Sequence, residues 1–284
     1  MTKTLVAIIY DFDKTLCDKD IQEYSFIPSL GINPKDFWKM TDEFSRKEKM
    51  DKILACMYTM LKESENNNKH ITKEYLNSLG KDINFFPGII NWFERINEYG
   101  DKIGLQIEHY IVSSGLKEII DGTKISKQFK NIYACEFLYN EDGYAIWPKM
   151  SVNYTTKTQF ISRINKGVLD ISDDKTLNKK MLEEERRIST KNMIYFGDGL
   201  TDIPSMRMIK ENGGYAIAVY QNNDKEIASD LLKDNRIDFF AKADYQENSQ
   251  IDKLMKNMLI EISIKSKLNK LHKKLLEETS ENND

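Results

Sequence analysis

Three short segments of this 284-residue chain carry residues that could do chemistry together. Asp11-Phe12-Asp13-Lys14-Thr15 follows directly on an apolar run at residues 5–10. In extended chain, residues two apart point the same way, so the Asp11 and Asp13 carboxylates can converge. Two unpaired carboxylates that close repel and raise one pKa; a divalent cation relieves the cost and keeps one of them ionised. Ser113-Ser114-Gly115 follows a second apolar run and is expected to lead into a helix. Hydroxyl and N–H groups at a helix start suit a phosphate oxygen. Gly197-Asp198-Gly199-Leu200-Thr201-Asp202 follows a third run. It places Asp198 and Asp202 as metal ligands or their supports, oxygen donors of the kind Mg²⁺ prefers. Each segment alone could be a turn or a helix cap. Acidic residues at two strand ends, together with a strand-end serine, are poorly explained as three independent caps.

The elements that must position them follow from apolar patterning. Residues 5–10, 109–112, 193–196 and 215–219 are short apolar runs without alternation, as expected of strands buried on both faces. Helical patterns lie between them, which predicts an α/β fold with a Rossmann-like, doubly wound parallel sheet. Ligands of such sheets sit beyond the carboxyl ends of the strands, where the three segments fall. Residues 21–80 show helical periodicity and no strand signal. A crossover needs only about a dozen residues, so this stretch is expected to be an inserted helical cap. Pro87-Gly88 punctuates the return, and residues 89–99 read as the helix leading into the second strand. Residues 137–147 predict a β-hairpin turning at Asp142-Gly143, and the polar stretch 167–190 a surface excursion. Residues 251–278 predict a lysine-rich helix whose Leu254, Met258 and Ile262 stripe packs on the core; a partner-binding coiled coil is the alternative. Residues 280–284 are expected to fray. The expected organisation is a catalytic core of residues 1–20 and 81–250, a helical cap of 21–80, and a terminal helix and tail of 251–284.

Composition narrows the function classes. The chain has 42 basic and 45 acidic residues and a formal net charge of -3, without the basic stripe that nucleic acid would require. Cys17, Cys56 and Cys135 are odd in number and widely spaced, which suits neither a zinc site nor a disulfide framework and predicts a reducing compartment. No apolar run approaches the roughly 18 residues of a membrane helix. The first ten residues lead into aspartates rather than a small-residue cleavage site. A cytoplasmic protein is expected, with no nucleic-acid or membrane partner.

With these residues in view, the chain resembles the phosphatases of the haloacid dehalogenase (HAD) superfamily over about residues 5–220. Asp11-Phe12-Asp13-Lys14-Thr15 is similar to their DxDxT signature, Ser113 to the strand-end serine or threonine, and Gly197 to Asp202 to GDGxxD. The insertion soon after the first motif resembles the phosphoserine-phosphatase-like branch. The fourth expected element is a lysine near the start of a helix between the last two motifs; Lys157 fits best and Lys149 is the second candidate. The resemblance implies Asp11 as nucleophile and Asp13 as general acid and base, its backbone carbonyl also on Mg²⁺. It implies Asp198 as the other side-chain ligand and Asp202 positioning the metal's waters or Lys157. Ser113, Ser114 with the adjoining Gly115, and Lys157 would hold the phosphoryl oxygens, and Thr15 would brace the loop.

Dehalogenases lack the second aspartate, so Asp13 argues against carbon–halogen chemistry. An ion-pump reading of Asp13-Lys14-Thr15 fails because Leu16 and Cys17 follow where glycine and threonine are expected. For substrate selection, Asp20 and Arg46 stand near the positions where phosphoserine phosphatases grip an amino acid, although each is also an ordinary surface charge. The aromatic residues Tyr24, Phe26, Phe37, Trp38 and Phe44 are expected in the cap's core, His109 in a structural place, and Cys17 as a small buried residue. The expectation is a Mg²⁺-dependent phosphomonoester hydrolase for a small phosphorylated metabolite, acting through an aspartyl phosphate. The alternatives are a phosphotransferase or phosphomutase on the same scaffold, and a non-enzymatic protein binding through its terminal helix.

Overall fold

The computed structural model describes residues 3–221 and 224–281. Seven strands form one sheet: β1 (Thr4–Tyr10), β2 (Leu105–Leu116), β3 (Phe129–Tyr139), β4 (Ala145–Met150), β5 (Met193–Gly197), β6 (Tyr215–Tyr220) and β7 (Phe239–Lys242). Their order is β4-β3-β2-β1-β5-β6-β7, and every pair is parallel except β3 with β4. β1 lies at the centre because the chain first builds outward through β2 and β3, then returns to the other side of β1 with β5. The crevice at such a reversal is where open α/β sheets bind ligands. Val6 to Tyr10 and Met193 to Phe196 have no exposed surface, as strands covered on both faces require.

The segment between β1 and β2 contributes α1 (Phe26–Ser29), α2 (Pro34–Glu48), α3 (Lys52–Asn66) and α4 (Lys73–Leu79), and then α5 (Ile89–Lys102) returns to the sheet. α2 starts with Asn33 accepting from the Lys35 N–H and Pro34 in its first turn, a favoured combination. α3 starts with Asp51 accepting from the Ile53 and Leu54 N–H groups, both at 3.0 Å. The other Asp51 oxygen accepts from Asn153 Nδ2 at 3.0 Å, tying the insertion to the loop that carries Lys157. α4 is pressed onto α6 (Lys117–Asp121); a Cβ on Gly122 would lie 1.8 Å from the Asn77 carbonyl oxygen, so only glycine permits this approach.

Beyond the hairpin come α7 (Lys157–Lys166), α8 (Asp174–Asn178), α9 (Ile203–Glu211), α10 (Lys225–Lys233) and the long α11 (Gln250–Glu281). The hairpin turns where expected, with Gly143 at φ +81°. Residues 167–190 run over the surface but are anchored: Arg163, 2% exposed, donates to the carbonyls of Asp170 and Ile171, and Arg187 pairs with Glu108 at 2.5 Å. Ile251, Met255, Met258, Leu259 and Ile262 of α11 are buried, whereas Leu268, Leu271 and Leu275 are exposed. Among the described residues no helix is long and apolar enough to cross a membrane. Residues 282–284 of the tail expected to fray lie outside the described residues.

Two expectations need correction. β2 begins at Leu105 rather than His109 and continues through Gly115 to Leu116, with a register shift against β3 after Val112. Ser113 to Gly115 therefore lie in irregular extended chain, and the short helix starts only at Lys117. The first part of β3, which opens with Phe129-Lys130-Asn131, and the four-residue edge strand β7 carried no recognisable signal; only the end of β3 fell within the expected hairpin.

Candidate active site

β1 ends at Tyr10, and the Asp11 N–H donates to the Phe196 carbonyl at 2.8 Å, which registers the first motif against β5. One Asp11 oxygen accepts from the Phe12 N–H at 2.8 Å; the other lies 3.0 Å from Lys157 Nζ. The chain then turns: Leu16 N–H bonds to the Phe12 carbonyl at 2.9 Å, and Lys14 takes φ +55°. Thr15 is buried and its carbonyl accepts from Tyr245 Oη at 2.8 Å, while its hydroxyl has no partner. The loop is thus braced through the Thr15 backbone.

Asp13 sits two residues on, accepting from the Ile21 N–H at 3.0 Å. Burial, then the charges of Asp20 and Asp11, raise its pKa well above the ordinary carboxylate range. That shift favours the protonated form, the one able to donate. Gly115 packs against it; a Cβ there would stand 3.2 Å from Asp13 Oδ2.

Lys157 opens α7, where Asn153 accepts from the N–H groups of Thr155 and Thr156 and its carbonyl from the Lys157 N–H. Its side chain is buried and bonds Asp202 Oδ1 at 2.7 Å as well as Asp11. Burial works against the ammonium charge, but Asp11 and Asp202 outweigh it and hold the pKa well above the usual lysine range. Lys149, the second candidate, instead pairs with Glu136 on the hairpin at 2.9 Å, half exposed.

β5 delivers Gly197 and Asp198, and a 3-10 turn at Leu200–Asp202 brings Asp202 back beneath them. A Cβ on Gly197 would lie 2.4 Å from Asp202 Oδ2, so the glycine makes room for that carboxylate. Asp202 Oδ1 also accepts from Tyr195 Oη at 2.7 Å. Tyr195 is a β5 side chain that patterning alone assigns to the core. Oxygens of Asp11, Asp198 and Asp202 lie within 4.8 Å of one another. Burial, then the charges of Asp202 and Asp11, raise the Asp198 pKa. Asp202 Oδ2 is buried without a hydrogen-bond partner. Three repelling carboxylates this close, one of them with an orphaned oxygen, fit a hard divalent cation, which supplies the missing charge. The Asp13 carboxylate stands outside this cluster.

A cavity of about 700 Å³ opens above these residues, lined by Asp11, Asp13, Asp198 and Ser114 on the sheet side. Ser113, fully buried, accepts from the Gly115 N–H at 3.1 Å and is not on the wall. Asp20 reaches the wall paired to Lys14 at 2.7 Å. Arg46 does not: it is exposed in the last turn of α2, and the cation the insertion contributes is Lys52 of α3. Phe26 and Phe37 are core, as expected, but Trp38 lines the cavity with Gln22, Thr41 and Asp42. The spacing of 38, 41 and 42 on one helix face was the available signal. His109 is buried and structural. Cys17, Cys56 and Cys135 are free and buried, the last two on the cavity wall.

Comparison with known proteins places this geometry. Residues 6–259 match the family described as "Putative Phosphatase". A protein of Borreliella burgdorferi, described as an uncharacterized protein, is 28% identical over 276 residues, covering 88% of this chain and 94% of its own. Phosphoserine phosphatase in apo form superposes with a TM-score of 0.55 at 16% identity, over 87% of this chain and 97% of that one. A phospho-aspartyl intermediate analogue of phosphoserine phosphatase gives 0.52 at 18% identity, over 90% and 99%. A HAD family hydrolase from Salmonella enterica serovar Typhi gives 0.51 at 18% identity, over 77% of this chain and 63% of that one. At such identities the likeness to solved structures is one of fold.

Proposed function

We propose that this chain, which belongs to the "Putative Phosphatase" family and to the HAD superfamily, hydrolyses a small phosphomonoester through an aspartyl phosphate on Asp11. The observation that carries this reading is the Asp11 carboxylate at the end of the central strand, 3.0 Å from Lys157 Nζ, with the Asp13 carboxyl two residues on lining the same cavity.

Asp11 attacks phosphorus, a P–O bond forms to its carboxylate, and the ester P–O bond breaks. Asp13 gives its proton to the departing alkoxide, a general-acid contribution of about 10²–10⁴ in rate. Asp13, now ionised, takes a proton from water as that water attacks phosphorus; inorganic phosphate leaves and Asp11 is restored. Lys157 and the backbone and hydroxyl of Ser114 would be the donors to the phosphoryl oxygens. Asp11, Asp198 and Asp202 would hold Mg²⁺, with the Asp13 carbonyl as a further donor. When bound, the ion neutralises charge between the anionic nucleophile and the anionic substrate. Helices α1 to α4 are proposed to form the cap over this site and to exclude bulk water during turnover.

The test is hydrolysis of p-nitrophenyl phosphate by the full chain, with Mg²⁺ and with EDTA, beside Asp11→Asn. Activity that needs the metal and disappears in the folded variant is expected. Near-normal hydrolysis by Asp11→Asn would overturn the assignment, and full activity in EDTA would overturn the metal's part.

A further inference from the structure

Two residues that line the cavity each carry a polar atom with nothing to bond. Gln22, 5% exposed, lies in the 3-10 turn just after the first motif, and its Oε1 has no partner. Thr41, fully buried on α2, has a hydroxyl with no partner. Both residues line the same cavity as Asp11 and Asp13. A buried polar atom left unpaired keeps its full desolvation penalty, and folded proteins rarely tolerate one without a use. Two lining one catalytic cavity, borne by different elements, mark a place where a ligand completes the hydrogen bonding.

The rest of the wall says what that ligand is. The lysines that line it are already matched: Lys14 with Asp20 at 2.7 Å and Lys52 with Asp42 at 2.8 Å. No arginine lines the cavity among the described residues. Each cation on the wall already has a carboxylate partner, with which a substrate carboxylate would have to compete. Ile53, Cys56, Met57 and Met60 of α3 line the same cavity and favour an uncharged body. Gln22 Oε1 accepts only, so the substrate must bring a donor; the Thr41 hydroxyl can give or take.

We infer that Gln22 and Thr41 form a specificity subsite for a hydroxyl group on the substrate's alcohol. The preferred substrates are then monophosphates of uncharged, hydroxyl-bearing alcohols rather than of amino acids. This inference rests on the phosphatase reading above.

A matched series tests it: glycerol 1-phosphate, n-propyl phosphate and phosphoserine, with the full chain and with Gln22→Leu, Thr41→Val and the double variant. The native chain is expected to favour glycerol phosphate over both others by at least about tenfold in kcat/KM, the worth of roughly one well-made hydrogen bond. The glycerol-to-propyl preference should fall toward unity in the double variant, chiefly through KM. Thr41→Val should not lower Tm, because it removes a hydroxyl that bonds to nothing. Equal rates on glycerol and propyl phosphate, a preference for phosphoserine, or a preference that survives in the double variant would overturn the subsite. A loss of Tm in Thr41→Val would also count against it. If n-propyl and p-nitrophenyl phosphates are both left intact, it is the phosphatase reading that fails.

Discussion

Asp202 shows how much one carboxylate is asked to do. It is fully buried, takes hydrogen bonds from Lys157 and Tyr195 on one oxygen, and leaves the other without a partner. Partners that orient a metal ligand commonly change affinity by about 10–100-fold when removed. Tyr195→Phe keeps the ring in the core and deletes only the bond to Asp202. We expect Mg²⁺ affinity, read by calorimetric titration, to weaken by about that factor while the circular dichroism spectrum stays native. Unchanged affinity would mean that Lys157 alone sets the carboxylate. Tyr195 also shows why part of the site was not legible in the sequence. Inside an apolar run, a tyrosine that reaches a carboxylate looks like any other core residue. Asp11 and Asp198 were legible because acidic residues at two strand ends, together with a strand-end serine, are poorly explained as independent caps.

At the scale of elements, α11 divides into two halves with different work. Its first turns bury Ile251, Met255, Met258, Leu259 and Ile262, and Asp252 pairs with Arg95 and Lys256. Its distal part carries Leu268, Leu271 and Leu275 in the open. Met255→Ala should therefore cost about 2–5 kcal/mol, as large-to-small changes in a packed core do. Removal of residues 267–284 should move the denaturation midpoint little. Both follow from urea unfolding curves, and a large loss on truncation would show that the distal half is also held by the core. The same contrast of burial decided which strands could be read ahead. β1, β5 and β6 are apolar throughout because both faces are covered. β2 was cut short at its start because Gln106 and Glu108 interrupt the run; Glu108 is nonetheless buried, its charge matched by Arg187. The lining of the cavity was harder still. Gln22, Trp38 and Thr41 come from elements whose placement over the sheet is a tertiary result that helical periodicity does not encode.

For the molecule as a whole, stability should carry the mark of one buried imidazole. Burial lowers the His109 pKa to about 3, from an ordinary value of 6.5. Tyr10 Oη lies 3.1 Å from its Nδ1 and Asn97 Oδ1 lies 3.0 Å from its Nε2, and Trp92 in turn donates to Tyr10. Tyr10 donating to Nδ1 and Nε2–H donating to Asn97 is the neutral tautomer. The unfolded chain takes up a proton near pH 6.5 that the folded chain refuses until about pH 3. Stability is therefore full above pH 6.5 and falls as pH drops through that window, by up to about 1.4 kcal/mol per pH unit from this residue. His109→Gln should flatten the slope of unfolding free energy between pH 6.5 and 4. A slope as steep as that of the native chain would assign the effect to other groups.

Under the mechanism we propose, the central strand ending in Asp11, with Lys157 Nζ 3.0 Å from its carboxylate, serves the transfer of a phosphoryl group to that one carboxylate. Acid quenching during turnover, followed by tritiated borohydride, reduces an acyl phosphate and labels the residue that bore it. We expect the label on the peptide containing Asp11 and at that position. Label at Asp13, or none while phosphate is being released, would contradict the account.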